Sequence, residues 1–337
     1  MRAASDLMKK LGILNGEFLD LESGVKRRRS SSIISRRGAS KMSGLFKPNP
    51  LLFLSFVICL GTFILLLVSF YNSNVRWGAS SINRREQGAV YPFKDLKNLV
   101  MVAGHSVYKG GSKCEKGTEE EEAAWYLESY QRHPGQAATF VDHIREGINM
   151  AAMDEAALLL FSGGETRKDA GPRSEAQSYW NVADSHQWFG KQMTVRHRSL
   201  TEEHARDSFE NLLFSICRFR ELTGVYPHNI TVVSYDFKQK RFAYLHRSAL
   251  RFPSFRFFYV GTPASPSSAV AASKGEALVR EQFQKDPYGC SGSLRMKRLG
   301  RDPFHRSIPY PNGCPELGGL FDYCGRTIYS EKLPWDD

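Results

Sequence analysis

The sequence has no zinc-type spacing of Cys and His, no G-x-S-x-G elbow, no G-x-G-x-x-G fingerprint and no P-loop. Nothing here therefore points to a structural zinc site, a standard serine hydrolase or the common nucleotide-binding loops. Excess charge is also scarce outside one region. Of the net +11, residues 1–50 supply +7 through 11 Lys+Arg against 4 Asp+Glu, leaving +4 for the rest. The basic excess belongs to a tail, and no nucleic-acid footprint follows for the domain. Cysteine is sparse as well, with six in 337 residues.

Long apolar runs are absent with one exception. Residues 51–71 read LLFLSFVICLGTFILLLVSFY, uncharged from Leu51 to Tyr71. That matches the ~20 residues a helix needs to cross a ~30 Å hydrocarbon layer, and only a helix satisfies its own backbone there. Pro48 and Pro50 break the chain before it, and Tyr71 and Trp77 suit an interface. A signal peptide would have a shorter apolar region and would not follow a fifty-residue tail. The lipid bilayer is thus an expected partner, through one transmembrane helix. Lys and Arg are nearly balanced close to the span, but Lys26-Arg27-Arg28-Arg29 tips the N-terminus to the cytosol. The remainder is then lumenal, in an endomembrane compartment with the Golgi favoured.

Two features agree with that side. Asn229-Ile230-Thr231 is a glycosylation sequon. Cys114, Cys217, Cys290, Cys314 and Cys324 follow the span, either as disulfide partners or as free thiols. Cys59 sits inside the span as an apolar filler. The tail, residues 1–50, is low in hydrophobicity and expected to be disordered. Its Arg27-Arg28-Arg29-Ser30-Ser31-Ser32 stretch suits anionic headgroups, an attraction that serine phosphorylation would weaken, or it is only a topology signal.

Residues 72–95 read as a stalk, and 96–285 as an α/β domain. Short apolar runs at 98–104, 156–161, 230–234 and 255–260 are expected strands. Helices are expected over 119–130, 140–153, 174–187, 201–223 and 237–250. Strands alternating with helices predict a Rossmann-like three-layer sandwich with a mostly parallel sheet. Residues 286–337, rich in Gly and Pro, read as an irregular but packed extension.

In such a sheet, ligands bind beyond the carboxyl ends of the strands. That rule selects Gly104-His105-Ser106, Ser162-Gly163-Gly164-Glu165-Thr166 and Ser234-Tyr235-Asp236-Phe237-Lys238, with Arg241 beyond. Gly163 and Gly164 let backbone approach a ligand, and their amides can form an anion nest with the Ser162 and Thr166 hydroxyls. Glu165, Glu175 and Glu210 supply carboxylates for acid–base work. His105, directly after the strand-end glycine, is a candidate base or phosphate contact. Lys238 and Arg241 suit an anionic ligand, and Asn211 caps a loop or bridges that ligand. No metal set is expected, and no motif names a cofactor.

At these loops the chain resembles the SanA/YdcF/ElyC-like domain of unknown function family, in a eukaryotic membrane-anchored branch. The resemblance rests on Val102-Ala103-Gly104, Ser162-Gly163-Gly164, Ser174-Glu175-Ala176, Ser208-Phe209-Glu210-Asn211 and Phe237-Lys238-Gln239-Lys240-Arg241. It covers roughly residues 97–262. Ser208 stands where the family has Thr, and Lys238 where it often has His. Lys238 can contact an anion there, but acting as a base at neutral pH requires a large pKa shift. The resemblance implies a Rossmann-like fold with a strand-end pocket. It also links bacterial relatives to envelope integrity, and one to S-adenosylmethionine. Three functions stay open: an enzyme on a small anionic or phosphorylated substrate, a non-catalytic ligand-binding or scaffold protein, and a nucleotide or S-adenosylmethionine binder.

Overall fold

The computed structural model describes residues 59–69, 91–110 and 118–336. The chain divides into two units, residues 1–83 and 84–337. In the first, residues 59–69 are helical and expose Leu60, Phe63, Ile64, Leu65, Leu66, Leu67 and Val68. The expected tail, the remainder of the span from Leu51 to Tyr71, the stalk up to residue 90 and Cys114 lie outside the described residues. Among the described residues no helix is long and apolar enough to cross a membrane.

The second unit is built on a five-stranded, all-parallel sheet. Its strands are β1 (Asn98–Ala103), β2 (Ala157–Ser162), β3 (Ser199–Glu202), β4 (Asn229–Tyr235) and β5 (Phe257–Thr262), in the order β3-β2-β1-β4-β5. Alternation along the strands sends side chains to two cores. Leu99, Met101, Leu158, Leu160, Ile230 and Val232 enter one, while Val100, Val102, Leu159, Phe161 and Val233 enter the other. Helices α1 (Gln136–Met153) and α2 (Glu175–Ser185) cover the second core. Helix α3 (Ser208–Thr223) and the winding over 236–250 cover the first. The fold is thus the expected Rossmann-like α/β arrangement. After β3 the chain crosses back to the far side of β1, so the order switches between β1 and β4. A crevice opens at the carboxyl ends of strands flanking such a switch.

Several expected elements differ. Residues 119–130 form two single 3-10 turns, Glu122–Ala124 and Ser129–Gln131. Between them Trp125 bridges to Tyr108 and is buried against Phe140 and Tyr179. The helix expected over 201–223 starts at Ser208, because the Asp207 carboxylate accepts from the Phe209 and Glu210 amides at 2.9 Å each. The residues ahead of it supply β3, a fifth strand too short to show a period. The winding after β4 is a 3-10 turn, a π-helix (Arg241–His246) and a short α turn rather than one α-helix.

Among helices of more than two turns in the described residues, two were not expected: α4 (Ala269–Lys285) and α5 (Gly292–Gly300), the latter inside the segment read as irregular. Disulfide Cys217–Cys314 ties that segment to α3, and Cys290–Cys324 cross-links it internally. Leu317, Leu320, Leu333 and Trp335 join the core beside α3, and the Trp335 indole donates to the Leu250 carbonyl at 2.8 Å. Each such apolar side chain contributes ~1.5–3 kcal/mol on burial, so residues 286–336 add to the fold's stability rather than trail from it. The two disulfides fit an oxidising, secreted or lumenal setting. Asn229 lies half-buried at the start of β4, its amide donating to Asn98 Oδ1, at the sheet end opposite the crevice.

Candidate functional site

A cleft of about 560 Å³ occupies the crevice. Gly104 and His105 from the end of β1, Thr166 and Glu175 from the β2–α2 connection, Ser208 and Asn211 from α3, and Lys238 and Arg241 after β4 all line it. Residues more than a hundred positions apart therefore share one rim. Ser162, Gly163, Gly164, Glu165, Glu210 and Ser234, the other expected site residues, do not line it.

The glycine loop explains part of that split. The Gly163 amide donates to the Glu202 carbonyl at 3.0 Å and the Gly164 amide to the Ala205 carbonyl at 2.7 Å. With both amides engaged, the expected anion nest does not exist. The glycines serve a different purpose. A Cβ on Gly104 would stand 2.8 Å from Glu175 Cβ, and one on Gly163 would stand 2.8 Å from Glu175 Oε2. Gly163 also has φ +155°, which favours glycine. The missing side chains make the seat for the Glu175 carboxylate. The seat is completed by Ser174, which caps α2 by accepting from the Gln177 amide at 2.9 Å. Thr166 Oγ1 donates to Glu175 Oε1, and Arg167 Nη1 stands 3.8 Å from the same oxygen. Glu175 is 6% exposed, a carboxylate sunk into the cleft floor.

His105 faces it from the end of β1. Its carbonyl accepts from Gln131 Nε2 and Arg167 Nη2, each at 2.9 Å, which fixes the backbone. Its ring packs against Phe140, His143 and Tyr235. Lys238 Nζ approaches Nδ1 at 3.3 Å and Ser234 Oγ approaches Nε2 at 3.2 Å. With Lys238 as the donor, Nδ1 accepts and Nε2 carries the proton toward Ser234. Burial, then the Lys238 charge, holds the imidazole well below its usual pKa. Burial first, then Arg241 and Arg301, lowers the Lys238 amine as well.

Three other expectations are corrected by ion pairs. Arg241 is not a free anion contact, since Nε and Nη2 bind the Glu276 carboxylate at 3.0 and 2.8 Å while Nη1 donates to Ser208 Oγ at 2.8 Å. Glu210 is held by Arg206 at 2.7 Å and Arg298 at 3.1 Å, outside the cleft. Glu165 pairs with Arg306 at 3.0 Å. None of these carboxylates is free for acid–base work on a cleft ligand. Ser162 is fully buried and donates to Glu202 Oε2 at 2.9 Å.

The residues that sequence reasoning missed come largely from the C-terminal segment. Lys297, on α5, and Arg301, just after it, stand four apart on one face and line the cleft. Arg298 turns the other way, docking α5 onto Asp207 at 2.7 Å and onto Glu210. Among the described residues Lys238, Lys297 and Arg301 have no carboxylate within ion-pair distance. Desolvation at the cleft mouth, then Arg301 and Arg241, lowers the Lys297 amine to about 8. Small and apolar residues of α4, Ala271, Ala272, Gly275 and Val279, form the opposite wall.

The chain is similar to an uncharacterized Saccharomyces cerevisiae protein, YOR238W. The two are 26% identical over 298 residues, covering 70% of this chain and 96% of the yeast protein. The chain is thus a distant homologue of YOR238W over almost all of that protein's length. No family model matches the chain, and no solved structure matches it. Among the described residues no group of three or more His, Cys, Asp or Glu side chains is placed to hold a metal ion.

Proposed function

We propose that the strand-end cleft binds a small anionic or phosphorylated molecule, with Glu175 and His105 beside it for proton transfer. One observation carries this reading: Lys238, Lys297 and Arg301 converge on one cleft without carboxylate partners among the described residues. Crowding three basic groups into a desolvated cleft lowers the charge that Lys238 and Lys297 carry on their own, and an anion at their centre favours their charged forms. The α4 wall suits the apolar body of such a ligand. A ligand-binding role without chemistry is the second reading, supported by the close hold of Thr166 and Arg167 on Glu175.

The same reading places the protein on the membrane through residues 51–71, with the domain in an endomembrane lumen and no nucleic-acid partner. The two disulfides support that side. The order of the strand-end motifs supports kinship with the SanA/YdcF/ElyC-like family, a placement that no matching family model carries.

Calorimetric titration of the full chain with inorganic phosphate, pyrophosphate and a hexose phosphate tests the cleft. At least one should bind, and Lys297→Met combined with Arg301→Met should weaken it by tenfold or more, as expected for ~1.5–3 kcal/mol per charged hydrogen bond. Equal affinity in the double variant, or no binding of any phosphate probe, would reject the reading.

A further inference from the structure

Ser208 opens on the cleft, and its Oγ lies 2.8 Å from His246 Nε2. Arg241 Nη1 donates to the same Oγ at 2.8 Å. A guanidinium has no acceptor, so the hydroxyl accepts from Arg241 and its own proton is free to point at His246 Nε2. In that arrangement the imidazole is unprotonated at Nε2 and protonated at Nδ1. Complete burial, followed by the Arg241 charge, keeps it neutral. A hydroxyl that donates to a neutral imidazole within 2.6–3.2 Å is the arrangement of an activated nucleophile and its base.

Two further observations distinguish this pair from an ordinary structural hydrogen bond. His246 Nδ1 is buried with no hydrogen-bond partner. Nδ1 is thus an unpaired buried polar atom, and in native folds such atoms are found at strained or catalytic sites. The ring is held instead by the edges and faces of Phe209, Phe242 and Phe283. The second observation is the backbone. Arg241 and His246 are the first and last residues of a π-helix. In an α-helix, residues five apart diverge by about 140° around the axis. The wider i→i+5 winding brings both to one side, where they meet at a single oxygen, and such winding recurs at functional sites.

We propose that Ser208 is a nucleophile, with His246 as its general base and Arg241 as its positioning residue, forming a phosphoserine intermediate from a phosphate monoester. This rests on the anion-binding reading of the cleft. In the first step Ser208 Oγ bonds to phosphorus, the phosphorus–alkoxide bond breaks, and the serine proton passes to His246 Nε2. The departing alkoxide takes a proton from water, and the hydroxide so formed recovers the proton from His246. In the second step a water oxygen attacks phosphorus with its proton going to His246. The phosphorus–Oγ bond breaks, and His246 returns the proton to Ser208. The sum is one ester and one water converted to one alcohol and one phosphate. Lys238, Lys297 and Arg301 face the phosphoryl oxygens.

The test is covalent labelling of the full chain with a fluorophosphonate, which a reactive serine attacks with loss of fluoride. Peptide mass mapping should place the label on Ser208. Labelling should vanish in Ser208→Ala and fall by at least a hundredfold in His246→Gln, with Ser208→Thr restoring part of it. Unlabelled Ser208 in folded wild-type protein overturns the proposal, as does undiminished labelling in folded His246→Gln. The phosphate titration separates this failure from that of the binding reading: bound phosphate with an inert Ser208 removes only the nucleophile, and a labelled Ser208 without phosphate affinity removes the anion site.

Discussion

Glu202 gives the sharpest quantitative prediction. It ends β3, is 1% exposed, and burial raises its carboxyl from 4.5 to about 8. Hydrogen bonds donated by the His204 amide to Oε1 at 2.8 Å and by Ser162 to Oε2 favour the charged form, but burial outweighs them. Ser162 Oγ faces three acceptors, Glu202 Oε2 at 2.9 Å, Asn211 Oδ1 at 3.1 Å and the Asn211 carbonyl at 3.3 Å. In the folded state Glu202 holds its proton up to about pH 8, whereas unfolded it releases the proton near 4.5. The folded state therefore binds more protons between those values, and stability falls as pH rises across the window. At 1.36 kcal/mol per pH unit the full loss is ~5 kcal/mol, an upper figure for a site that water can partly reach on relaxation.

The perturbation is Glu202→Gln, which copies the neutral acid and cannot ionise. Urea denaturation at pH 5 and pH 8.5 provides the comparison. His105, His143 and His246 are held neutral by burial, so their contribution has the opposite sign, rising as pH climbs through the unfolded value of 6.5. The wild-type profile alone therefore does not isolate Glu202; the difference between wild type and variant does. The variant should gain several kcal/mol relative to wild type on going from pH 5 to 8.5. Parallel profiles for the two proteins would refute the claim that a protonated carboxyl lies under the glycine loop.

Two further outcomes follow from the geometry. Gly163→Ala places a Cβ 2.8 Å from Glu175 Oε2 at φ +155° and should cost ~1–3 kcal/mol, read by thermal melting, while also displacing Glu175 from the cleft floor. Glycosidase digestion of the protein expressed in a eukaryotic secretory system should shift its mobility, and Asn229→Gln should abolish the shift; an unshifted wild type would count against the lumenal side.

The parts of the fold legible in the sequence are those buried on both faces. β1, β2 and β4 are near-continuous apolar runs because a core lies on each side of the sheet. β3 escaped because it is a four-residue edge strand, and its residues merge with the polar approach to α3. α4 escaped because only Glu276 and Phe283 of its seventeen residues are buried, so it carries little apolar stripe. The site was legible to the extent that topology dictated it. His105, Glu175, Lys238 and Ser208 meet because strand ends meet. The sequence could mark Gly104 and Gly163 as intolerant of a side chain, but not that a carboxylate, rather than a ligand, fills the space. Lys297 and Arg301 were beyond reach because only tertiary docking through Arg298 turns α5 toward the cleft.

His105, which lines the cleft, and His246, buried behind Ser208, share a design that no single contact discloses. At His105 a lysine donor meets Nδ1, and at His246 a serine hydroxyl, itself fixed by an arginine donor, meets Nε2. In each case a basic side chain stands on the donor side, directly at His105 and through the Ser208 hydroxyl at His246. Burial then keeps the ring neutral, so the accepting nitrogen's lone pair persists at neutral pH. Placing cations beside bases lowers basicity, which is a poor choice for a site that only needs to hold an anion. It suits one where protons must leave a nucleophile and return to it, because a strongly basic imidazole would retain the proton it takes.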